Sequence, residues 1–101
     1  MHQKKLLILL RNTRNKMDND KITMYGTPWC GDTIRAKRIF EEYNIDYLWI
    51  DINKDPNGEK IVKEINKGFK SVPTIIFPDQ SILVEPDKQT LIDKLKTLKI
   101  I

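Results

Sequence analysis

The 101-residue chain is predicted to be an α/β domain of element order β-α-β-α-β-β-α, with a four-stranded mixed sheet flanked by helices. Two patterns predict it. Short β-prone runs alternate with stretches whose apolar residues recur at helical spacing, which calls for parallel strands joined by right-handed crossovers. Late in the chain two β-prone runs flank one turn cluster, which adds an antiparallel edge. A chain of this length can bury one core, and 40% hydrophobic with 32% charged residues is the composition of an ordinary globular protein.

Ile22-Thr23-Met24-Tyr25 is the first β-prone run and stops at the turn cluster Gly26-Thr27-Pro28. Beyond Cys30, apolar Ile34, Ile39, Phe40 and Tyr43 recur among Arg35, Lys37, Arg38, Glu41 and Glu42, an amphipathic helix that Asn44 would stop. Arg35, Lys37 and Arg38 read as its solvated face. Tyr47 to Ile52 reads as the second strand, with Trp49 and the Ile/Val runs as core. Lys54-Asp55-Pro56-Asn57-Gly58 turns into a helix over Glu59 to Asn66, capped by Asp55 or Asn57, ending at Gly68 and facing inward through Ile61, Val62 and Ile65. Thr74-Ile75-Ile76-Phe77 and Ile82-Leu83-Val84 flank Pro78-Asp79-Gln80-Ser81, a hairpin. Pro86-Asp87 opens a last helix, in which Leu91, Ile92, Leu95 and Leu98 keep helical spacing.

The formal charge of +4 is unevenly spread. Residues 1–20 hold Lys4, Lys5, Arg11, Arg14 and Lys16 against Asp18 and Asp20, while the remainder is nearly balanced. Basicity confined to an arm reads as a solvated tail, so no nucleic-acid partner is expected. Leu6 to Leu10 is too short an apolar run for a signal-peptide core or a bilayer span. Residues 1–20 are therefore read as a basic arm: a frayed or short helix, a membrane-touching segment, or a stretch upstream of a true start at Met17. Residues 21–101 are read as the domain. One histidine, His2, and one cysteine give no zinc set. A single cysteine also excludes an internal disulfide and favours a reducing, cytoplasmic setting.

That cysteine lies where a strand ends and a helix begins. Helix N-termini carry unpaired N–H groups and a partial positive charge, which favour a thiolate placed there. Pro28 fixes the turn leading into Cys30, and Trp29 supplies an apolar flank for a bound partner. The competing reading is a small buried hydrophobe. Farther on, Ser71-Val72-Pro73 precedes the third strand, where a proline lacking an N–H belongs at a strand start, in either peptide isomer.

Tyr-Gly-Thr-Pro-Trp-Cys-Gly-Asp after the first strand and Ser-Val-Pro-Thr before the third, in this element order, resemble the glutaredoxin family of the thioredoxin fold. The resemblance covers residues 21 to 98. It implies that Cys30 is the attacking cysteine, within an active-site motif of Pro28, Trp29, Gly31, Asp32 and Thr33, and that Pro73 is the cis-proline facing its sulfur. It further implies a glutathione site: Val72 pairing through its backbone with the cysteinyl part, Ser71 and Pro73 beside it, Lys70 toward a ligand carboxylate, and Asp87 toward the amino group.

The chain departs from the family pattern at four places. Thr33 replaces the second cysteine and reads either as a helix-surface residue or as a hydroxyl donating to the thiolate. Thr27 stands where a lysine is common, Glu85-Pro86 replaces a glycine pair, and Asp32 places a like charge within a turn of the sulfur. The resemblance, so modified, implies a monothiol thiol–disulfide oxidoreductase of cell redox homeostasis and electron transport. Its co-substrate would be glutathione or another low-molecular-weight thiol, and its partners thiolated or disulfide-bearing proteins. Two alternatives stand beside it: a dimer holding an iron–sulfur cluster through Cys30 and small thiols, and a non-catalytic redox-sensing or interaction module. Outside the cluster-bound form a monomer is expected.

Overall fold

The computed structural model describes residues 21–101, so the readings of residues 1–20 and of Met17 fall outside the described residues. The elements are β1 (Ile22–Gly26), α1 (Gly31–Glu42), β2 (Tyr47–Asp51), α2 (Pro56–Ile65), β3 (Thr74–Ile76), β4 (Ile82–Val84) and α3 (Lys88–Thr97). This is the predicted order. The sheet runs β2-β1-β3-β4. β1 pairs in parallel with β2, Met24 opposite Trp49, and antiparallel with β3, Met24 opposite Ile75. β4 pairs antiparallel with β3, Ile75 opposite Leu83.

Side chains alternate across the sheet, so β1 feeds two cores. Ile22 and Met24 meet Ala36, Ile39 and Phe40 of α1 and Leu91, Ile92 and Leu95 of α3, with Ile75 and Phe77. Tyr25 joins Ile52 and Val62 on the α2 side. Phe40 and Met24 are fully buried; removing such side chains from water is worth about 1.5–3 kcal/mol each. The sheet is thereby clamped between α1 with α3 and α2, which fixes the ends of β1 and β3 beside the start of α1.

Three expectations need correction. Ile34 of α1 and Tyr43, its C-cap, are 36% and 41% exposed, whereas Thr33 and Ala36 are buried. Ile82 and Val84 are exposed rather than core: β4 is an edge strand with one neighbour, and neither residue joins a core cluster. α2 starts three residues earlier than expected, because Pro56 occupies the first turn and the Asp55 carboxylate accepts from the Gly58 N–H at 3.1 Å. Proline costs nothing at that position, since its missing N–H would have had no helical partner.

Candidate functional site

β1 ends at Gly26 and α1 starts at Gly31, so four residues carry the chain from sheet to helix. The Cys30 N–H donates to the Thr27 carbonyl at 3.3 Å, closing a tight turn over the exposed Pro28 and Trp29. Cys30 is the N-cap residue of α1, extended at φ −72°, ψ 127°, with no side chain capping the helix. Its thiol is partly exposed. The first-turn N–H groups that a capping oxygen would take are thus left facing the sulfur's end of the helix.

Across from it, the Val72–Pro73 peptide is cis, and the Cys30 Sγ donates to the Val72 carbonyl at 3.6 Å. The structure thus places the Cys30 sulfur against the Val72 carbonyl, at the cis peptide that leads into Pro73. The sequence reading missed how the Val72 loop is held. The Asn66 amide donates to both the Val62 carbonyl, 2.9 Å, and the Thr74 hydroxyl, 3.1 Å, and that hydroxyl donates to the Ser71 carbonyl at 2.7 Å. On the other side the Glu85 N–H donates to the Pro73 carbonyl at 2.9 Å. Glu85 adopts φ 49°, the left-handed region that favours glycine, at the place where the family carries its glycine pair.

Thr33 is not a helix-surface residue. It is fully buried, and its Oγ1 finds no hydrogen-bond partner among the described residues, which also leaves the proposed bond to the Cys30 sulfur unmade. The cause is Gly26: a Cβ there would lie 2.8 Å from Thr33 Oγ1 and 3.1 Å from Trp49 Cζ3. A strand that ends without a side chain leaves a hollow, and Thr33 fills it. Gly31 faces open space: a Cβ there would have nothing within 4 Å. Thr27 is buried as well.

Charged neighbours are paired. Asp32 accepts from Arg35 Nη2 at 2.7 Å, and Lys37 Nζ sits 3.5 Å over the Trp49 ring, so two of the three cations read as a wet face have partners. Lys70 Nζ lies 3.0 Å from Glu59 Oε2, which also holds Lys63 at 3.3 Å; Lys70 first and Lys63 second keep the Glu59 carboxyl below the usual carboxylate range. Lys70 is thus held by a carboxylate of its own chain. Trp29 and Phe69 are each 70% exposed, flanking Cys30 and leading into the Val72 loop respectively. Phe69 went unnoticed in the sequence because it stands alone between Gly68 and Lys70.

Asp87 is the N-cap of α3, accepting from the Thr90 N–H at 2.7 Å. That bond, chiefly, holds its carboxyl below its ordinary range, and the Arg35 charge adds to it. The cap's contribution is therefore present above the unfolded carboxyl range and fades as pH falls through the lower, folded value. Asp87→Ala should melt below the parent protein at neutral pH, and the gap should close on acidification below about pH 4. A gap that persists unchanged to about pH 2 would contradict this assignment.

Among the described residues no group of three or more His, Cys, Asp and Glu side chains is placed to hold a metal. An iron–sulfur cluster would find one thiolate per chain, Cys30, and would need two chains and two small thiols. No helix of the described residues is long and apolar enough to cross a membrane.

Comparison with known proteins agrees with the geometry. The Glutaredoxin family model matches residues 22–82. A Mycobacterium tuberculosis H37Rv protein named "Putative glutaredoxin" is 34% identical over 79 residues, covering 78% of this chain and 92% of its own. Mycoredoxin 1 of Corynebacterium glutamicum is 27% identical over 77 residues, 76% of this chain and 95% of its own. Among solved structures, the thioredoxin-like protein BC3987 superposes with a TM-score of 0.63 at 22% identity, over 72% of this chain and 97% of that one. A wheat glutaredoxin superposes at 0.64 with 13% identity, over 93% and 89%. With its thiol at the head of α1, its cis-proline opposite and more than half its length matched by the family model, this chain belongs to the glutaredoxin family and has the thioredoxin-like fold.

Proposed function

We propose that the protein is a monothiol thiol–disulfide oxidoreductase that removes small thiols from protein mixed disulfides through Cys30. The observation that carries this reading is a lone, partly exposed sulfur 3.6 Å from the Val72 carbonyl, with buried Thr33 where a resolving cysteine would stand. The Cys30 thiolate attacks the small-thiol sulfur of the mixed disulfide. A bond forms between the two sulfurs, the S–S bond to the target's sulfur breaks, and the target leaves as a thiolate that takes up a proton. Cys30 now carries the small thiol as a disulfide. A second small-thiol thiolate attacks that adduct, releasing Cys30 and a small-molecule disulfide, so the electron pair comes from the second thiol.

The loop of Lys70, Ser71, Val72 and Pro73, together with Asp87 at the head of α3, is our candidate for holding the small thiol, glutathione or a relative of it. The exposed Trp29 and Phe69 suit the apolar part of a protein target. A reducing cytoplasm would supply the thiol. Turnover of a glutathionylated peptide with excess glutathione should follow ping-pong kinetics, with a Cys30–glutathione adduct visible by intact mass. A reactive Cys30 that gives neither adduct nor turnover with glutathione or another low-molecular-weight thiol would overturn the reading and leave the non-catalytic module.

A further inference from the structure

Asp32 is the acidic residue of the Cys-Gly-Asp-Thr motif, two positions from the sulfur and in the first turn of α1. Two anions there compete. A carboxylate in the first turn is drawn to the same N–H groups and positive helix end that favour the thiolate, and its charge opposes that of the sulfur. Arg35, one turn farther along the helix, takes Asp32 Oδ1 at 2.7 Å and so draws the carboxylate down the helix, away from its thiol-bearing end.

We infer that Arg35 is a positioning residue for the reaction: by holding the Asp32 carboxylate one turn down α1, it leaves the N-terminal N–H groups to the Cys30 thiolate. Other charges near Arg35 do not replace it. From α3, Asp87 feels the Arg35 charge but is committed to the Thr90 N–H. Lys88 shares a groove with Arg35, Arg38, Glu41 and Glu42. Both members of the Asp32–Arg35 pair are more than a third exposed, and such pairs add little to stability. Its consequence should be read in reactivity rather than in melting.

The inference rests on Cys30 reacting as a thiolate, and a four-protein comparison tests the two separately. The rate of alkylation by iodoacetamide at neutral pH is measured for the parent, Arg35→Gln, Asp32→Asn and the double variant, with melting curves as a control. Arg35→Gln should slow alkylation about three- to tenfold, the size expected of one charge several ångströms from a partly exposed sulfur. Asp32→Asn alone should stay within about twofold of the parent, and Arg35→Gln added to Asp32→Asn should cost less than about twofold, because no carboxylate remains to be held. An Arg35→Gln variant as fast as the parent overturns the inference. So does one that is slowed equally with Asp32 absent, which would make Arg35 a direct charge on the sulfur, or an Asp32→Asn protein that gains as much as Arg35→Gln loses. A parent no more reactive than the same chain unfolded in denaturant would instead fail the oxidoreductase reading, and the inference with it.

Discussion

Cys30→Ser should lower thiol-transferase turnover by at least about a thousandfold and leave the fold in place. The chain has one cysteine, so the substitution removes every thiol at once, and neither Thr33 nor any other hydroxyl beside it can form a mixed disulfide. The substitution gives up only the long Cys30 Sγ–Val72 carbonyl contact of 3.6 Å, and the position is only partly buried. Stability should therefore change by no more than about 0.5 kcal/mol. Steady-state turnover beside a urea titration checks both halves. Residual activity within about tenfold of the parent would mean that the sulfur is not the nucleophile.

That outcome also separates one-sulfur from two-sulfur chemistry. The chain has no second cysteine, so under the proposed mechanism a Cys30 adduct would not be resolved within the chain and turnover should depend on the second small thiol. Adduct should accumulate when that thiol is scarce. A dithiol protein would instead release its adduct as an internal disulfide.

The order of elements was legible because it depends on local signals: apolar residues at period 3.6 on α1 and α3, β-prone runs at β1 and β3, and turn residues between them. The meeting of Cys30 with Pro73 was legible through the family motifs, since 42 residues separate Cys30 from Val72 and no local pattern joins them. Burial at single positions was not. Thr33 reads as polar and outward, and only the missing side chain of Gly26, seven residues earlier on a different element, makes room for it. Ile82 reads as core and is exposed because of where its strand falls in the sheet. The Asp32–Arg35 pair has helical spacing and could have been found by counting residues. The Glu59–Lys70 pair depends on how the chain turns after α2, and spacing alone does not reveal it.

Gly26→Ala should be the more damaging of two small changes beneath the site, costing about 1–3 kcal/mol. The new methyl would lie 2.8 Å from Thr33 Oγ1, 3.0 Å from Thr33 Cγ2 and 3.1 Å from Trp49 Cζ3. The strand cannot retreat easily, because Gly26 is paired with Asp51 and its carbonyl accepts from the Ile52 N–H at 3.1 Å. Trp49 is covered by Lys37. Relief must come from Thr33, which means from the first turn of α1, and that turn carries Cys30. The variant should therefore lose activity beyond its loss of stability, as the sulfur shifts relative to the Val72 carbonyl. Thr33→Ala removes both threonine atoms that the methyl meets, and with them the unpartnered hydroxyl, whose burial costs about 1–3 kcal/mol. In that background Gly26→Ala should cost less by at least about 0.5 kcal/mol, a coupling that urea unfolding of the four proteins would measure. Strictly additive losses would mean that Thr33 does not rest on Gly26, and that the start of α1 is held in register with the sheet by something other than this contact.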